Sequence, residues 1–357
     1  MRPPCSRHAC PPGCGRNCVG RVCWGRTYRS RWRSGNSHEN RPVHHLLRQH
    51  DVSGHGTGGG DPWGRGRRVG AVTAVRRLLD AHHHVWDLSV REQDWITGPE
   101  LAPIRSDFLI DDQVPEVAAS GVDATVLVQT VTVPEETPEF LALAATSDLI
   151  AGVVGWTDLT APDVADALAG LRELPGGDRL VGIRHQVQSE PDPEWLLRPD
   201  VRRGLAAVAR AGLAYDLVVR PGQLAAAAKA AAAHPGLTFV LDHLGKPAVA
   251  TGELEPWASD VRRLAALPNT VCKLSGLVTE ADWATWTVAD LRPYSDTALD
   301  AFGPSRLMFG SDWPVCGLAS SYAGVLAAAR ELMAGLGEAE RADVFAGTAD
   351  RTYGLRG

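Results

Sequence analysis

From Leu78 onward, short apolar runs alternate with amphipathic, helix-compatible stretches, and this alternation constrains the fold more than any other feature. Eight runs stand out, at 79–86, 124–130, 150–158, 180–187, 214–219, 238–244, 270–277 and 307–314. Each is nearly continuous in hydrophobicity, the pattern of strands buried on both faces. Helical stretches fill the gaps at 112–120, 135–146, 161–173, 200–211, 222–234, 255–266 and 282–302, and 320–334 and 338–345 follow the last run. The Ala-rich fifth helix has high helix propensity and ends at Pro235-Gly236. Eight β-α units over about 280 residues predict an α/β fold, a (β/α)8 TIM barrel forming a single domain over 78–357. A doubly wound open sheet would want a Gly-rich phosphate turn after its first strand. Here the first run leads straight into His82-His83-His84.

Charge divides the chain at the same place. Residues 1–77 hold fifteen Arg, no Lys and three acids (Glu39, Asp51, Asp61), a net +12, whereas the remainder carries −18. Residues 1–70 are rich in Arg, Gly, Pro, Ser and His without hydrophobic periodicity, and are expected to be a disordered N-terminal extension. Cys5, Cys10, Cys14, Cys18 and Cys23 lie there at spacings unlike the paired C-x2-C of zinc modules. No apolar segment follows the arginines as a secretory signal would require. With 33 Arg against 3 Lys, the chain has the bias of GC-rich coding, so the extension is read as translated upstream sequence, with the true start near Val69 or Val72. The acidic body argues against nucleic acid as a partner. No run approaches the roughly 18 apolar residues of a membrane span. The expected setting is cytoplasmic and the expected partner a small-molecule substrate, with a homo-oligomer left open.

In a barrel the carboxyl ends of the strands build the active site. Here those ends carry His82 and His84, Gln129, Arg184 and His185, Asp216, Asp242 and His243, Lys273 and Asp312. Buried polar groups are costly unless paired or used, so their recurrence at seven of eight strand ends points to function. His82 and His84, at i and i+2 on one strand, share a face, while His83 must face the helix layer as a structural residue. Together with His243 and Asp312 they offer three nitrogens and one carboxylate, a set that suits Zn or Mn. Asp242 reads as a partner that fixes a neighbouring imidazole. Glu136, at the start of a helix, reads as an acid favoured by the helix dipole rather than as a functional group.

The segment from Asp80 to Asp87 (DAHHHVWD) resembles the opening of the amidohydrolase superfamily. The closer resemblance is to its fuconolactonase and 2-pyrone-4,6-dicarboxylate lactonase group. GVVGWTDL at 152–159, GIRHQ at 182–186, LDHLGKP at 241–247, CKLSGL at 272–277, FGSDWP at 309–314 and GTA at 347–349 support it. The resemblance covers the body and none of the first seventy residues. It implies a barrel that opens a cyclic ester such as a sugar-acid lactone of the L-fuconolactone or L-rhamnonolactone type. A metal-dependent decarboxylase or amide hydrolase of the same superfamily is the alternative. The resemblance places His82, His84, His243 and Asp312 in the reaction centre, as catalytic groups and as ligands of any metal, with Lys273, Arg184 and His185 on the substrate. The bridging Lys of binuclear members is absent, since the body has only Lys229, Lys246 and Lys273. That leaves one divalent metal, Zn or Mn, or metal-free catalysis, with both open. In the expected mechanism Asp312 is the base, the three imidazoles polarise the carbonyl, and Arg184 anchors hydroxyls or a carboxylate.

Overall fold

The computed structural model describes residues 77–355. The expected disordered extension and its cysteines fall on residues 1–76, outside the described residues. Eight parallel strands follow one another in sequence order around one sheet: β1 (Leu79–His83), β2 (Ala124–Val128), β3 (Ile150–Gly155), β4 (Leu180–His185), β5 (Ala214–Leu217), β6 (Phe239–Leu241), β7 (Thr270–Leu274) and β8 (Leu307–Phe309). The ring closes where Asp312 N donates to His82 O at 2.8 Å and His84 N donates to Trp313 O at 2.7 Å. The strands stop two to five residues short of the expected runs, because the last residues of each run leave the ladder and form the loops of the site.

The connecting helices are α1 (Ile110–Ser120), α2 (Glu136–Ala144), α3 (Val164–Arg172), α4 (Pro199–Arg210), α5 (Leu224–Ala233), α6 (Trp257–Ala265), α7 (Val288–Phe302) and α8 (Tyr322–Leu332). Inward-facing Leu79, Ala81, Val126, Val128, Val240 and Met308 fill the barrel interior. Outward-facing Leu127, Ile183, Tyr215, Leu241, Cys272 and Phe309 pack against the helices. Burial of apolar surface in these two layers, worth roughly 25 cal/mol per Å², is what holds the ring of helices on the sheet.

Two features depart from the expected pattern. The single last helix expected at 338–345 is instead α9 (Glu338–Ala342), a π-helical turn (Asp343–Gly347) and α10 (Thr348–Tyr353). Ala346, Ala349 and Tyr353 of this segment pack into the interior cluster, so it closes the amino-terminal end of the barrel. The second departure is a register shift in β1, where Asp80 pairs with Thr125 but His83 pairs with Leu127. Such a bulge re-aims the side chains beyond it. Ala81 and His82, though adjacent, both serve the interior, and Asp80 and His83 both face out.

Among the described residues, no helix is long and apolar enough to cross a membrane.

Candidate active site

His82 and His84 stand on the bulged end of β1, and Asp80 holds that bulge. Its carboxylate accepts from His82 N at 3.1 Å, Ser311 N at 2.8 Å, Ser311 Oγ at 2.6 Å and Tyr322 Oη at 3.0 Å. One buried acid therefore ties the first strand to the loop after the eighth. Burial pushes its carboxyl up to about 6 against the pull of these bonds. No periodicity in the sequence marks it; only its place two residues before His82, together with Ser311 beside Asp312, could have suggested it.

His243 and Asp312 reach the same point from strained backbone. His243, Leu244, Lys246 and Asp312 have φ of 52–58°, a region that non-glycine residues rarely adopt and that clusters at functional sites. The result is convergence. Asp312 Oδ1 lies 3.5 Å from His84 Nε2, 3.7 Å from His82 Nε2 and 3.8 Å from His243 Nε2. The four groups expected in the reaction centre do come together.

Burial sets their charge states. It drives His82 well below the usual imidazole range, with the Lys273 charge adding to the effect. It also lowers His84 and pushes His243 down to about 4. Burial works to raise Asp312, but His243, His84 and His82 outweigh it and hold the carboxyl well below its ordinary value. At neutral pH the site is an ionised carboxylate among neutral imidazoles.

Those imidazoles suit a divalent cation as donors. His84 Nδ1 lies 2.8 Å from Val128 O, which can only accept, so its Nε2 carries a lone pair. His243 Nδ1 bonds Ser275 Oγ at 2.9 Å, which leaves its Nε2 free. The lone pair of His84 therefore faces an ionised Asp312 oxygen, an electron-rich gap. Donor spacings of 3.5 and 3.8 Å compare with roughly 3.4 Å between ligands of one tetrahedral zinc. Around this gap, buried Arg184 and Lys273 balance only two of the three carboxylates Asp216, Asp242 and Asp312.

The remaining expected substrate contacts divide. Arg184, 2 % exposed, lines the cavity, donates to Gln129 O and pairs with Asp242 at 3.0 Å. His185 is corrected. Adjacent to Arg184 on a strand, it faces outward, stacks on Trp195 at 4.2 Å, and bonds Glu190 at 2.7 Å and Trp156 at 3.0 Å. Lys273 is corrected as well. It is fully buried beneath His82, on Asp216 at 2.5 Å and Asp242 at 3.0 Å, and does not line the cavity. Asp242, next to both cations, does neighbour an imidazole, with Oδ1 3.4 Å from His82 Nδ1.

The cavity above the carboxylate holds about 210 Å³. Its walls include Asp94 and Trp95, Thr130, Gln186 and Gln188, and Lys246, all beyond the carboxyl ends of the strands. Glu136 shapes that wall. It is buried, and its carboxylate accepts from Thr130 N at 2.9 Å, Val131 N at 3.3 Å and the Thr130 hydroxyl. Burial pushes its carboxyl up to about 7.

Comparison with known proteins identifies the family. The profile of the amidohydrolase family matches residues 79–355. An L-fucono-1,5-lactonase of Burkholderia multivorans is 42% identical over 288 residues, covering 78% of this chain and 96% of the relative. A second L-fucono-1,5-lactonase, from Burkholderia ambifaria, is 38% identical over 77% of this chain and 94% of the relative. The crystal structure of an amidohydrolase from Burkholderia multivorans with bound zinc superposes with a TM-score of 0.74 at 41% identity, covering 78% of this chain and all of that one. The chain belongs to the amidohydrolase family.

Proposed function

We propose that the protein hydrolyses a sugar-acid lactone of the L-fuconolactone or L-rhamnonolactone type. The observation that carries this reading is the convergence of three imidazole Nε2 atoms on Asp312 at the floor of a small cavity, in a chain 42% identical to an L-fucono-1,5-lactonase. The cavity, about 210 Å³, suits one monosaccharide-sized ring. Its side chains, Asp94, Gln186, Gln188 and Lys246, offer the mixed donors and acceptors that ring hydroxyls need.

Opening the ring requires an aligned water, stabilisation of the carbonyl oxygen as it gains charge, and a proton for the departing ring oxygen. Asp312 accepts the proton of the attacking water while the new C–O bond forms. It returns that proton to the ring oxygen as the ester C–O bond breaks, so the carboxylate is regenerated. Arg184, which lines the cavity, supplies the donors that stabilise the oxyanion without reorganising, because β4 fixes it in place. His82, His84 and Asp312, with His243 close by, would hold a divalent cation, whose contribution when bound would be Lewis acidity toward the ester carbonyl.

The test is a pH-indicator hydrolysis assay on the full chain, with aldonolactones and pyrone dicarboxylates, with and without chelator. Turnover of an aldonolactone that Asp312→Asn reduces by 10³-fold or more is expected; on the order of 10²–10⁴-fold is typical of a lost acid–base group. No turnover of any lactone overturns the reading in favour of a decarboxylase or amide hydrolase.

A further inference from the structure

The charges that line the cavity are not matched. Besides the imidazoles they are Asp94, Arg184, Lys246 and Asp312. Each cation is already answered by an acid outside the lining, Arg184 by Asp242 at 3.0 Å and Lys246 by Glu280 at 3.4 Å. Neither lining acid is answered by a lysine or arginine among the described residues. Asp312 faces imidazoles, and Asp94 has no hydrogen-bond or ion-pair partner among the described residues. A divalent cation at Asp312 would neutralise that carboxylate and leave Asp94 as it is, because Asp94 does not stand among the clustered ligand atoms.

Asp94 is nevertheless held in place. It lies on the loop between β1 and α1, and its neighbours there are anchored. Gln93 is buried and accepts from Trp95 Nε1 at 2.9 Å. Trp95 meets Trp86 at right angles with ring centroids 5.6 Å apart, and Ile96 packs in the same cluster. Arg105 crosses the loop, donating to Ile96 O at 3.2 Å and to Gly98 O at 2.6 Å. A carboxylate fixed by its neighbours and left without a donor is a preorganised acceptor. Gln186 is more committed, since it donates to Thr130 O at 3.0 Å and accepts from Gln188 at 3.1 Å.

We infer that Asp94 is the specificity-determining residue of the site: it accepts hydrogen bonds from two adjacent hydroxyls of a neutral lactone ring and repels a ring that carries a carboxylate. The inference rests on the lactonase reading and narrows it to uncharged polyhydroxy lactones. An ionised carboxylate has two oxygens that only accept, so it matches two neighbouring O–H donors, and bonds to a charged acceptor are stronger than neutral ones. A substrate carboxylate meets the opposite situation. It brings no donor to Asp94, like charges repel, and both cations of the wall are already engaged. Closing a lactone consumes the carboxyl group of the sugar acid, so an aldonolactone enters uncharged. Hydrolysis regenerates that group as a carboxylate, and the charge that rejects anionic substrates then favours departure of the product.

The test is steady-state kinetics on the full chain with an aldonolactone and the aldarolactone of the same ring, in which a carboxylate replaces the terminal CH2OH. The wild type should prefer the uncharged ring by roughly 100-fold in kcat/KM, the scale of a like-charge contact. Added salt should raise turnover of the anionic ring alone, because it screens that repulsion. Asp94 is exposed, so its substitution leaves the core intact. Asp94→Asn should lower kcat/KM for the uncharged ring by about tenfold or more, mainly through KM, while the anionic ring holds or gains. Asp94→Glu keeps the charge and should keep the rejection of the anionic ring. A wild type that prefers the anionic ring, or an Asp94→Asn variant that treats both rings as the wild type does or weakens both alike, overturns the inference while lactone turnover leaves the lactonase reading standing. A wild type that opens no lactone fails that reading, and the inference with it.

Discussion

Gly276 offers the sharpest test of whether His243 acts in the reaction centre. It lies in the loop after β7 with φ of +64°, and a Cβ there would stand 2.5 Å from His243 Nδ1, 2.7 Å from its Cγ and 2.9 Å from its Cβ. Ordinary contact begins near 3.4 Å, so in Gly276→Ala the imidazole must retreat by about 0.9 Å or the loop must move instead. Either way the bond from His243 Nδ1 to Ser275 Oγ is disturbed, and that bond orients Nε2 toward Asp312. The left-handed backbone itself costs an alanine about 1–2 kcal/mol, a modest loss for a domain of this size. A misplacement near 1 Å can cost on the order of 10²-fold in rate, equivalent to about 2.7 kcal/mol of transition-state stabilisation. The expected variant is thus folded, slightly less heat-stable, and about 100-fold lower in kcat/KM for the aldonolactone that the wild type prefers. Steady-state kinetics with a thermal melt would measure both. A folded variant within threefold of wild-type kcat/KM would refute the placement of His243 among the reacting groups.

Other consequences follow from the same geometry. His185→Phe keeps the stack on Trp195 and should change kcat/KM less than threefold; a tenfold rise in KM would restore His185 to the substrate. Glu136 titrates near 7 in the folded chain against 4.5 for the free side chain. A folded value above the unfolded one stabilises fully below about 4.5, and that stability is lost as pH rises through about 7. Urea unfolding of wild type and Glu136→Gln should therefore diverge across this window, with the wild type losing about 3 kcal/mol relative to the variant; a pH-independent difference would exclude Glu136 as the cause. Asp80→Ala strands three kinds of buried donor, from His82 N, Ser311 and Tyr322, at roughly 1–3 kcal/mol each, whereas Tyr322→Phe removes only one. Urea midpoints should fall several times further for the first, and equal falls would show that Asp80 does not hold the bulge.

Much of this was legible from residue order alone, and the reasons differ by residue. The eight strands could be read because a strand buried on both faces must be apolar throughout, so the ladder shows as continuous runs. The meeting of His82, His84, His243 and Asp312 could be read because parallel strands of a barrel bring their carboxyl ends to one rim. His185 was decidable too: on a strand with period two, Arg184 and His185 cannot both face in, and Arg184 does. Lys273 required depth as well as parity. It pairs with Met308, in the layer of packed interior side chains, four residues before Asp312 in the eighth run, and depth depends on register between strands. The bulge in β1 left no trace in periodicity, because the residues on both sides of it are buried. Least legible was Tyr353, whose hydroxyl finds Asp216 across 137 residues of sequence. Nothing local distinguishes it from any tyrosine near the end of a helix. Its role exists only because α10 closes the barrel from below and so presents a phenol to a buried carboxylate. Local pattern thus identifies the residues that meet at the rim, where topology does the gathering. The groups that hold them from beneath are set by register and by long-range closure, which single-residue patterns do not record.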